Sequence, residues 1–575
     1  MAGQECMSGE NYSCTKQGVF YRELIAAIKK SHISKQKLNA AKMQLCRKHG
    51  ITAMPTDIDI LMHASLADVK AILPYLQTKP VRTGSGVAVI AIMTRPARCP
   101  HGKCTMCPGG LKSHFGDVPQ SYTGHEPATL RGMRNNYDAY LQVMNRLEQY
   151  VVLGQLPSKA DVIIMGGTFP AQPLEYQEEF VTDLFRALND FSGLFFKKGA
   201  FDWSKFKEFF SMPGEVGSKE RTEEIHAALL KMKQKKTSLL REQTRNETAQ
   251  VKCIGLTIET RPDWAFLRHG NEMLKLGCTR IELGVQTVYA EALKRVHRGH
   301  TLQDSIKSIQ LLKDLGFKLN FHLMPGLPGI SKQQDIKGLQ QIFLDARFRP
   351  DMLKVYPTMV MPGTPLYLDY MRGKFKPLTT RGAAEIIVEM KKMIPEYCRI
   401  MRIQRDIPTK VTVAGVDRTN LRQEVQLLMK KKGYVCRCIR CREIRNEPLR
   451  KTALNVLEYA ASNGQEFFIS LESNDAIVGF CRLRFPSQYL RPEITKKSAL
   501  IRELHVYSSQ LAVGKKPGKT RHQHKGFGRQ LMHKAEEIAK AHGKTKMVVI
   551  SGIGAREYYK KLGYRSEGVY MVKQL

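Results

Sequence analysis

The sequence predicts an α/β protein: a partial barrel of six parallel strand–helix units joined to a smaller α/β module, with a basic helical region in front and a cysteine-bearing linker between. Three observations predict it. From about residue 81 to 400, short β-rich runs alternate with helical stretches, and such alternation builds parallel βα units whose ligands gather at the carboxyl ends of the strands. From about 451 onward the pattern gains antiparallel character. Two cysteine triplets, one after the first strand-like run and one in the linker, mark where metal chemistry is expected.

Composition limits the function classes. The 575 residues suffice for several domains, and 42% hydrophobic with 25% charged residues is ordinary for a globular protein. Lys+Arg 91 against Asp+Glu 53 gives a net charge of +38, an excess that draws polyanions, nucleic acid foremost. No apolar run approaches about 20 residues, so no membrane-spanning helix is expected. The start, Met1-Ala-Gly-Gln-Glu-Cys6, lacks the basic and apolar regions of a secretory signal. Thirteen cysteines, clustered rather than scattered, suit metal binding in a reducing compartment and therefore the cytoplasm.

In chain order, residues 1–80 read as helical and basic. Apolar residues from Tyr21 to Lys48 recur at helical spacing among Lys29, Lys30, Lys35, Lys37, Lys42, Arg47 and Lys48. The stretch serves equally as a phosphate grip or as a solvated face. The region 81–400 supplies the strands Val87–Met93, Val162–Met165, Ile254–Glu259, Arg280–Val285, Leu319–Leu323 and Leu353–Tyr356. Between Phe191 and Gln250 the alternation breaks, and from Ser218 the charge density predicts one long exposed helix inserted between units. Residues 401–450 carry Cys436-Arg-Cys438-Ile-Arg-Cys441, a zinc-type spacing one ligand short, with Cys398 a candidate fourth ligand that the sequence does not establish; three unmetallated thiols are the alternative. In 451–575, strands Ile477–Phe485 and Ser498–Tyr507 lead to Gln523-His-Lys-Gly526-Phe-Gly528, a helix, the strand Met547–Ser551, a short helix over Ala555–Leu562 and a closing strand Val569–Val572.

Two motifs carry chemistry. Cys99-Pro-His-Gly-Lys-Cys104-Thr-Met-Cys107 places three thiols within nine residues. Three thiolates can hold an iron–sulfur cubane with one iron open, whereas a zinc knuckle closed by His101 or a distant ligand is the competing reading. The Gln523-x-x-Gly526-x-Gly528 turn opens a helix and offers backbone N–H groups to a pyrophosphate.

With the strand Arg502-Glu-Leu-His-Val-Tyr507 and the later Tyr558-Tyr-Lys-Lys-Leu-Gly-Tyr564, this turn resembles the acetyl-CoA site of the GNAT acetyltransferase fold. The three-cysteine loop followed by Gly166-Gly167-Thr168 resembles radical S-adenosylmethionine (SAM) enzymes, although their common spacing is C-x3-C-x2-C and this loop has one residue more. Both halves in one chain, with Glu259-Thr-Arg-Pro-Asp263, Glu282-x-Gly284-Val-Gln286, Arg298-Gly-His300 and Gln404-Arg-Asp-Ile-Pro408, resemble the family of Elongator catalytic subunits, which carboxymethylate the wobble uridine of tRNA. The compact cysteine loop and the second triplet are similar to archaeal and bacterial members.

The resemblance implies a site. Cys99, Cys104 and Cys107 would hold a [4Fe–4S] cluster, and Gly166, Gly167, Glu259 and Gln286 would bind SAM near Arg261. Acetyl-CoA would meet Glu503, Leu504, His505, Val506, Gln523, Gly526, Phe527, Gly528, Arg529, Tyr558 and Tyr559, with Lys159 contributing from the barrel. Lys318, His322, Tyr356 and His505 would meet between the domains. Lys318, Tyr356, His505 and Tyr558 are the catalytic candidates, Lys318 to polarise the thioester carbonyl and Tyr356 or His505 to guide a hydrolysing water. Read without the resemblance, Tyr356 packs against its neighbours and His505 is a core histidine. In the implied chemistry, a SAM-derived radical abstracts hydrogen from the acetyl methyl group and the carbon adds to C5 of uridine 34. Hydrolysis then releases CoA. The anticodon stem-loop of tRNA is the implied partner, gripped by the basic helices, by the insertion near 231–245 and by 430–442. Action without accessory subunits, as a monomer or homodimer, is expected. A protein lysine acetyltransferase with a structural iron–sulfur domain is the alternative activity; it leaves the cysteine loop and Gly166-Gly167-Thr168 without a task.

Overall fold

The computed structural model describes residues 16–31, 35–76, 86–213, 218–445, 448–507 and 526–575. At the front, helices Lys16–Ser31 and Lys35–His49 stand where a single basic amphipathic stretch is expected, followed by Asp57–His63 and Leu66–Leu76. Phe20, Leu24 and Ile28, one helical turn apart, bury themselves against Leu38, Ile60, Val69 and Ile72. Part of the basic face turns inward. Lys42 is buried and donates to Asp57 at 2.8 Å and to the Pro55 carbonyl at 2.9 Å, and Lys48 and Lys29 pair with Glu23 and Asp68. Lys30 and Arg47 remain exposed.

The first sheet has seven strands in chain order: β1 (Val87–Met93), β2 (Lys159–Met165), β3 (Lys252–Thr260), β4 (Arg280–Gln286), β5 (Lys318–Leu323), β6 (Met352–Val355) and β7 (Arg399–Arg402). Every neighbouring pair is parallel, and helices between strands give a half-barrel. The seventh strand, Arg399-Ile-Met-Arg402, was hidden because arginines flank only two apolar residues. Alternation sorts the faces. Ile90, Ile92, Val162, Ile164, Leu256, Ile258, Ile281, Leu283, Leu319 and Phe321 are buried beneath the helices. The concave face instead carries Asp161, Glu259, Arg280, Glu282, Lys318, Asn320, His322 and Lys354. A closed barrel is filled by branched apolar side chains; this interior is built for polar contacts.

The insertion departs from the expected single exposed helix. After Leu174–Phe195 come Trp203–Phe209, Lys219–Lys233 and Leu239–Thr248. Two serine caps explain the break, Ser218 accepting from Arg221 N–H and Ser238 from Arg241 N–H. Ile225, Leu229 and Leu239 are buried, and Phe191, Phe195, Phe206 and Phe210 form an aromatic cluster nearby.

The second sheet has strands β8 (Ala453–Ala461), β9 (Gly464–Ser473), β10 (Ala476–Phe485), β11 (Ser498–Val506), β12 (Lys546–Val549), β13 (Arg565–Glu567) and β14 (Tyr570–Gln574), ordered β8-β9-β10-β11-β12-β14-β13. Only β11 and β12 run parallel, over Ser498–Ile501. β8, β9 and β13 add to the expected strands; β8, rich in Ala, Leu and Glu, carries little β signal.

Buried charges join the two sheets. Asp351, ahead of β6, accepts from Arg502 at 2.5 and 3.0 Å, and Arg484 reaches Asp314 at 2.6 Å. Glu466 accepts from both arginines at 2.9 Å. All five side chains are essentially inaccessible. Burial opposes ionisation, but Arg502 and Arg482 hold the Asp351 carboxyl well below its ordinary range. Removing one partner from such a network strands a buried charge, at about 3–5 kcal/mol.

Candidate active site at the carboxyl ends of the half-barrel

The loop after β1 brings its three cysteines to one cleft, with an empty volume of about 1130 Å³ including its mouth. Cys99, Cys104 and Cys107 line it with Gly167, Glu259, Gln286, His322, Lys354, Tyr356 and Arg402. Gly166, at φ +129°, lets β2 turn under this loop; a Cβ there would lie 2.0 Å from Thr94 Oγ1. Gln286 ends β4 in the left-handed region at φ +67°, a conformation that a non-glycine residue adopts where the surroundings impose it.

Two guanidiniums face the thiols. Arg261 Nη1 is 3.8 Å from Cys99 Sγ and Arg298 Nη1 is 3.6 Å from Cys104 Sγ. Burial pushes the Cys99 and Cys104 thiols up, and these cations oppose it. His101 turns Nδ1 to Cys99 at 3.0 Å and Nε2 to Cys104 at 3.1 Å. Its two nitrogens thus serve different sulfurs, and among the described residues the three thiols do not converge with it as one tight ligand set. That disfavours a closed zinc knuckle. Three spread thiols, no fourth converging ligand, nearby cations and the unpartnered buried Arg298 Nε fit a [4Fe–4S] cluster with one open iron.

The cleft floor is a charged network in which Glu259, Glu282 and His322, named from the sequence, meet Lys354, Asn320 and Tyr122, which were not. Glu282 accepts from His322 Nε2 at 2.9 Å, from Asn320 Nδ2 at 3.2 Å and from Lys354. Burial opposes its ionisation, yet Lys354 and His322 hold it well below the ordinary range. Burial and the Glu282 charge push neighbouring Glu259 up, and Tyr122 donates to it at 3.0 Å. Two carboxyls pushed apart in this way form an acid–base pattern. Period-two counting along β6 would have found Lys354, two before Tyr356; Tyr122, on a loop, carries no such signal.

The four residues expected to meet occupy two levels. His322 and Tyr356 share the cleft, their rings 5.4 Å apart. Lys318 opens β5 instead. It pairs in register with Arg280, while Asn320 pairs with Glu282, so Lys318 lies one layer beneath the floor, about 7 Å along the strand. There it faces the second sheet: burial lowers the Lys318 ammonium while Glu503 counters. Arg482 donates to Glu503 at 2.9 Å. His505 stacks on Phe480 at 5.7 Å, and burial pushes it down to about 4. Lys159 opens β2, outside the cleft lining.

Glu503, Leu504, His505 and Val506 occupy the end of β11 beyond its pairing with β12, where the sheet parts. Gly526 caps the helix Phe527–Ala541 at φ +78°. A Cβ on Gly528 would lie 2.5 Å from the Tyr558 hydroxyl, so Tyr558 rests on the first turn of that helix beside Phe527 and Arg529. Tyr559 is buried beneath it. Gln523 lies outside the described residues.

The second triplet is compact. The sulfurs of Cys436, Cys438 and Cys441 all lie within 4.8 Å of one another. Cys398 is buried but does not join the group; Lys391 Nζ approaches instead, 3.2 Å from Cys436 and 3.7 Å from Cys441.

Family models match the ELP3 N-terminal domain at 19–84, the Radical SAM superfamily at 195–338, the Radical SAM C-terminal domain at 350–431 and the GNAT acetyltransferase family at 437–564. The chain is 44% identical over 555 residues to a tRNA uridine(34) acetyltransferase of Methanocaldococcus infernus, covering 94% of this chain and 96% of the relative. It is 38% identical over 553 residues to Elongator complex protein 3 of Homo sapiens, covering 94% and 93%. The solved structure of the archaeal M. infernus Elp3 lacking its N-terminus (1–46) superposes with a TM-score of 0.69 at 40% identity, covering 85% of this chain and all of that one.

Proposed function

The chain belongs to the Elongator complex protein 3 family, and we propose that it carboxymethylates C5 of the wobble uridine, position 34, in tRNA, using SAM and acetyl-CoA. One observation carries the reading: an open three-thiol cleft and an acetyltransferase-type strand end lie on opposite sides of one polar layer in the same half-barrel. Cys99, Cys104 and Cys107 would hold the cluster, and Gly166, Gly167, Glu259 and Gln286 would line the SAM position beside it. When bound, the cluster and SAM would supply a hydrogen-abstracting radical, which the coupling requires because C5 of uridine is an electron-rich carbon that an enolate does not attack but a carbon radical can.

The chain's own residues do the rest. Lys318, countered by Glu503, is the donor placed to meet a thioester carbonyl from the acetyltransferase side. Glu282 orients Lys354 and His322 toward the cleft, and Glu259, held protonated more readily than an ordinary carboxyl, offers a proton-transfer site there. Buried His505, neutral at working pH, is suited to guiding water rather than to carrying charge. Gly526, Phe527, Gly528, Arg529 and Tyr558 present the helix start to the CoA pyrophosphate.

The tRNA grip falls to basic residues without internal duties. Lys231, Lys235, Lys236, Arg241 and Lys430 are exposed, whereas Lys233 is committed to Asp138 and Asp183, Arg437 to Glu396 and Arg442 to Glu472. An anticodon loop offers unpaired bases at low cost, and affinity for it should fall steeply with salt. The proposal includes a structural zinc at Cys436, Cys438 and Cys441, a cytoplasmic location and action without accessory subunits. No helix among the described residues is long and apolar enough to cross a membrane.

The test supplies anaerobically reconstituted protein with SAM, acetyl-CoA, unmodified tRNA and dithionite as one-electron donor, and reads the nucleosides by mass spectrometry. A carboxymethyl-type uridine is expected; acetylated protein lysines without it would contradict the proposal.

A further inference from the structure

Arg261 and Arg298 both line the three-thiol cleft, and each is held there by a defined partner. Arg261 is buried, and its fork is pinned by Asp263, Nε at 2.9 Å and Nη2 at 2.6 Å, which leaves Nη1 directed at Cys99 Sγ. Arg298 donates through Nη2 to the Gly284 carbonyl at 3.3 Å and turns Nη1 to Cys104 Sγ. Gly284 is required for that approach, since a Cβ would stand 2.5 Å from Arg298 Nη2. Cys107 is treated differently: its Sγ lies 3.3 Å from the Gln120 amide oxygen, a neutral neighbour.

We infer that Arg261 and Arg298 set the reduction potential of the iron–sulfur cluster, as fixed cationic N–H donors to the sulfurs of Cys99 and Cys104. The inference rests on the proposed cluster site. Three thiolates around a four-iron core leave a net negative charge, and the incoming electron adds one more. Two fixed positive charges beside the sulfurs stabilise the reduced form preferentially, the more so where water is excluded. Hydrogen bonds to the sulfurs and local charge are established levers on such potentials. The arrangement eases one-electron reduction by an external low-potential donor.

The experiment is an EPR-monitored redox titration of the reconstituted full chain, with dithionite as reductant and iron counted in each sample. Arg298→Met and Arg261→Met are each expected to retain iron and to lower the midpoint potential. At the wild-type midpoint, the reduced-to-oxidised ratio should fall at least tenfold, which for a one-electron couple is 59 mV. Arg298→Lys, keeping the charge but not the fork, should shift less in the same direction. Unchanged potentials in iron-loaded methionine variants would overturn the inference. Should those variants lose iron, the lysine variant decides: a negative shift supports the inference and no shift overturns it. Failure of the wild type itself to take up iron or to modify uridine would count against the proposed function and is scored separately.

Discussion

The two cysteine triplets are alike in composition and opposite in design. Cys436, Cys438 and Cys441 draw their sulfurs within 4.8 Å of one another, around a space one ion would fill, with the Lys391 ammonium against them. Cys99, Cys104 and Cys107 stand apart on a longer loop, lining a cleft that also opens to Glu259, Tyr356 and Arg402. Both triplets have a cationic neighbour, so charge does not separate them. Spread and access do: a compact set closes around an ion and stabilises the fold, whereas a spread set at strand ends leaves room for a polynuclear group and its reactant.

Breaking each triplet should therefore give different losses. Cys104→Ala is expected to abolish iron–sulfur absorbance and the nucleoside product, with tRNA binding and zinc content nearly intact; lost tRNA binding would mean that the loop is mainly structural. Asp351→Asn, in the ion network between the sheets, should cost about 3–5 kcal/mol in urea unfolding, far more than Glu23→Gln in the exposed pair with Lys48. Equal costs would refute the idea that buried charge fixes the two sheets. Lys391→Met should weaken zinc binding about 10–100-fold, as loss of a group supporting the metal ligands does, and leave iron content unchanged; a competition titration with a chelator reads this. A further effect, dependent on pH, concerns His505. Burial depresses its folded pKa to about 4 against 6.5, so protonation favours the unfolded state, and its stability contribution is complete above pH 6.5 and declines as pH falls toward 4. Wild type should lose stability faster than His505→Phe across that window, and parallel curves would show that the imidazole is not buried neutral.

Much of this was legible in the sequence because two periodicities are strong. Apolar residues at every second position located six of the seven half-barrel strands, and cysteine spacing located both triplets. What stayed hidden depends on tertiary placement. Lys42 reads as one more surface lysine until Asp57 meets it across the helical layer. Arg484 and Arg502 look like strand-surface residues, but Asp314, at the end of the helix Leu302–Asp314, and Asp351, just ahead of β6, lie more than a hundred residues away in the half-barrel. Lys318 and Tyr356 both sit on half-barrel strands, and only the inter-strand register shows that one lies below the floor and the other above it. The insertion looked like a single exposed helix because its charge outweighed two serine caps.

The central claim, that one half-barrel joins an acetyl donor below its floor to radical chemistry above it, has a direct test. Reconstituted protein, with dithionite as one-electron donor, would receive SAM, tRNA and acetyl-CoA with a fully deuterated methyl group, and mass spectrometry would follow the label. The account predicts two deuterium atoms in the carboxymethyl group on uridine 34 and deuterium in the 5′-deoxyadenosine released. An acetylated product retaining all three deuterium atoms, with none in 5′-deoxyadenosine, would contradict it.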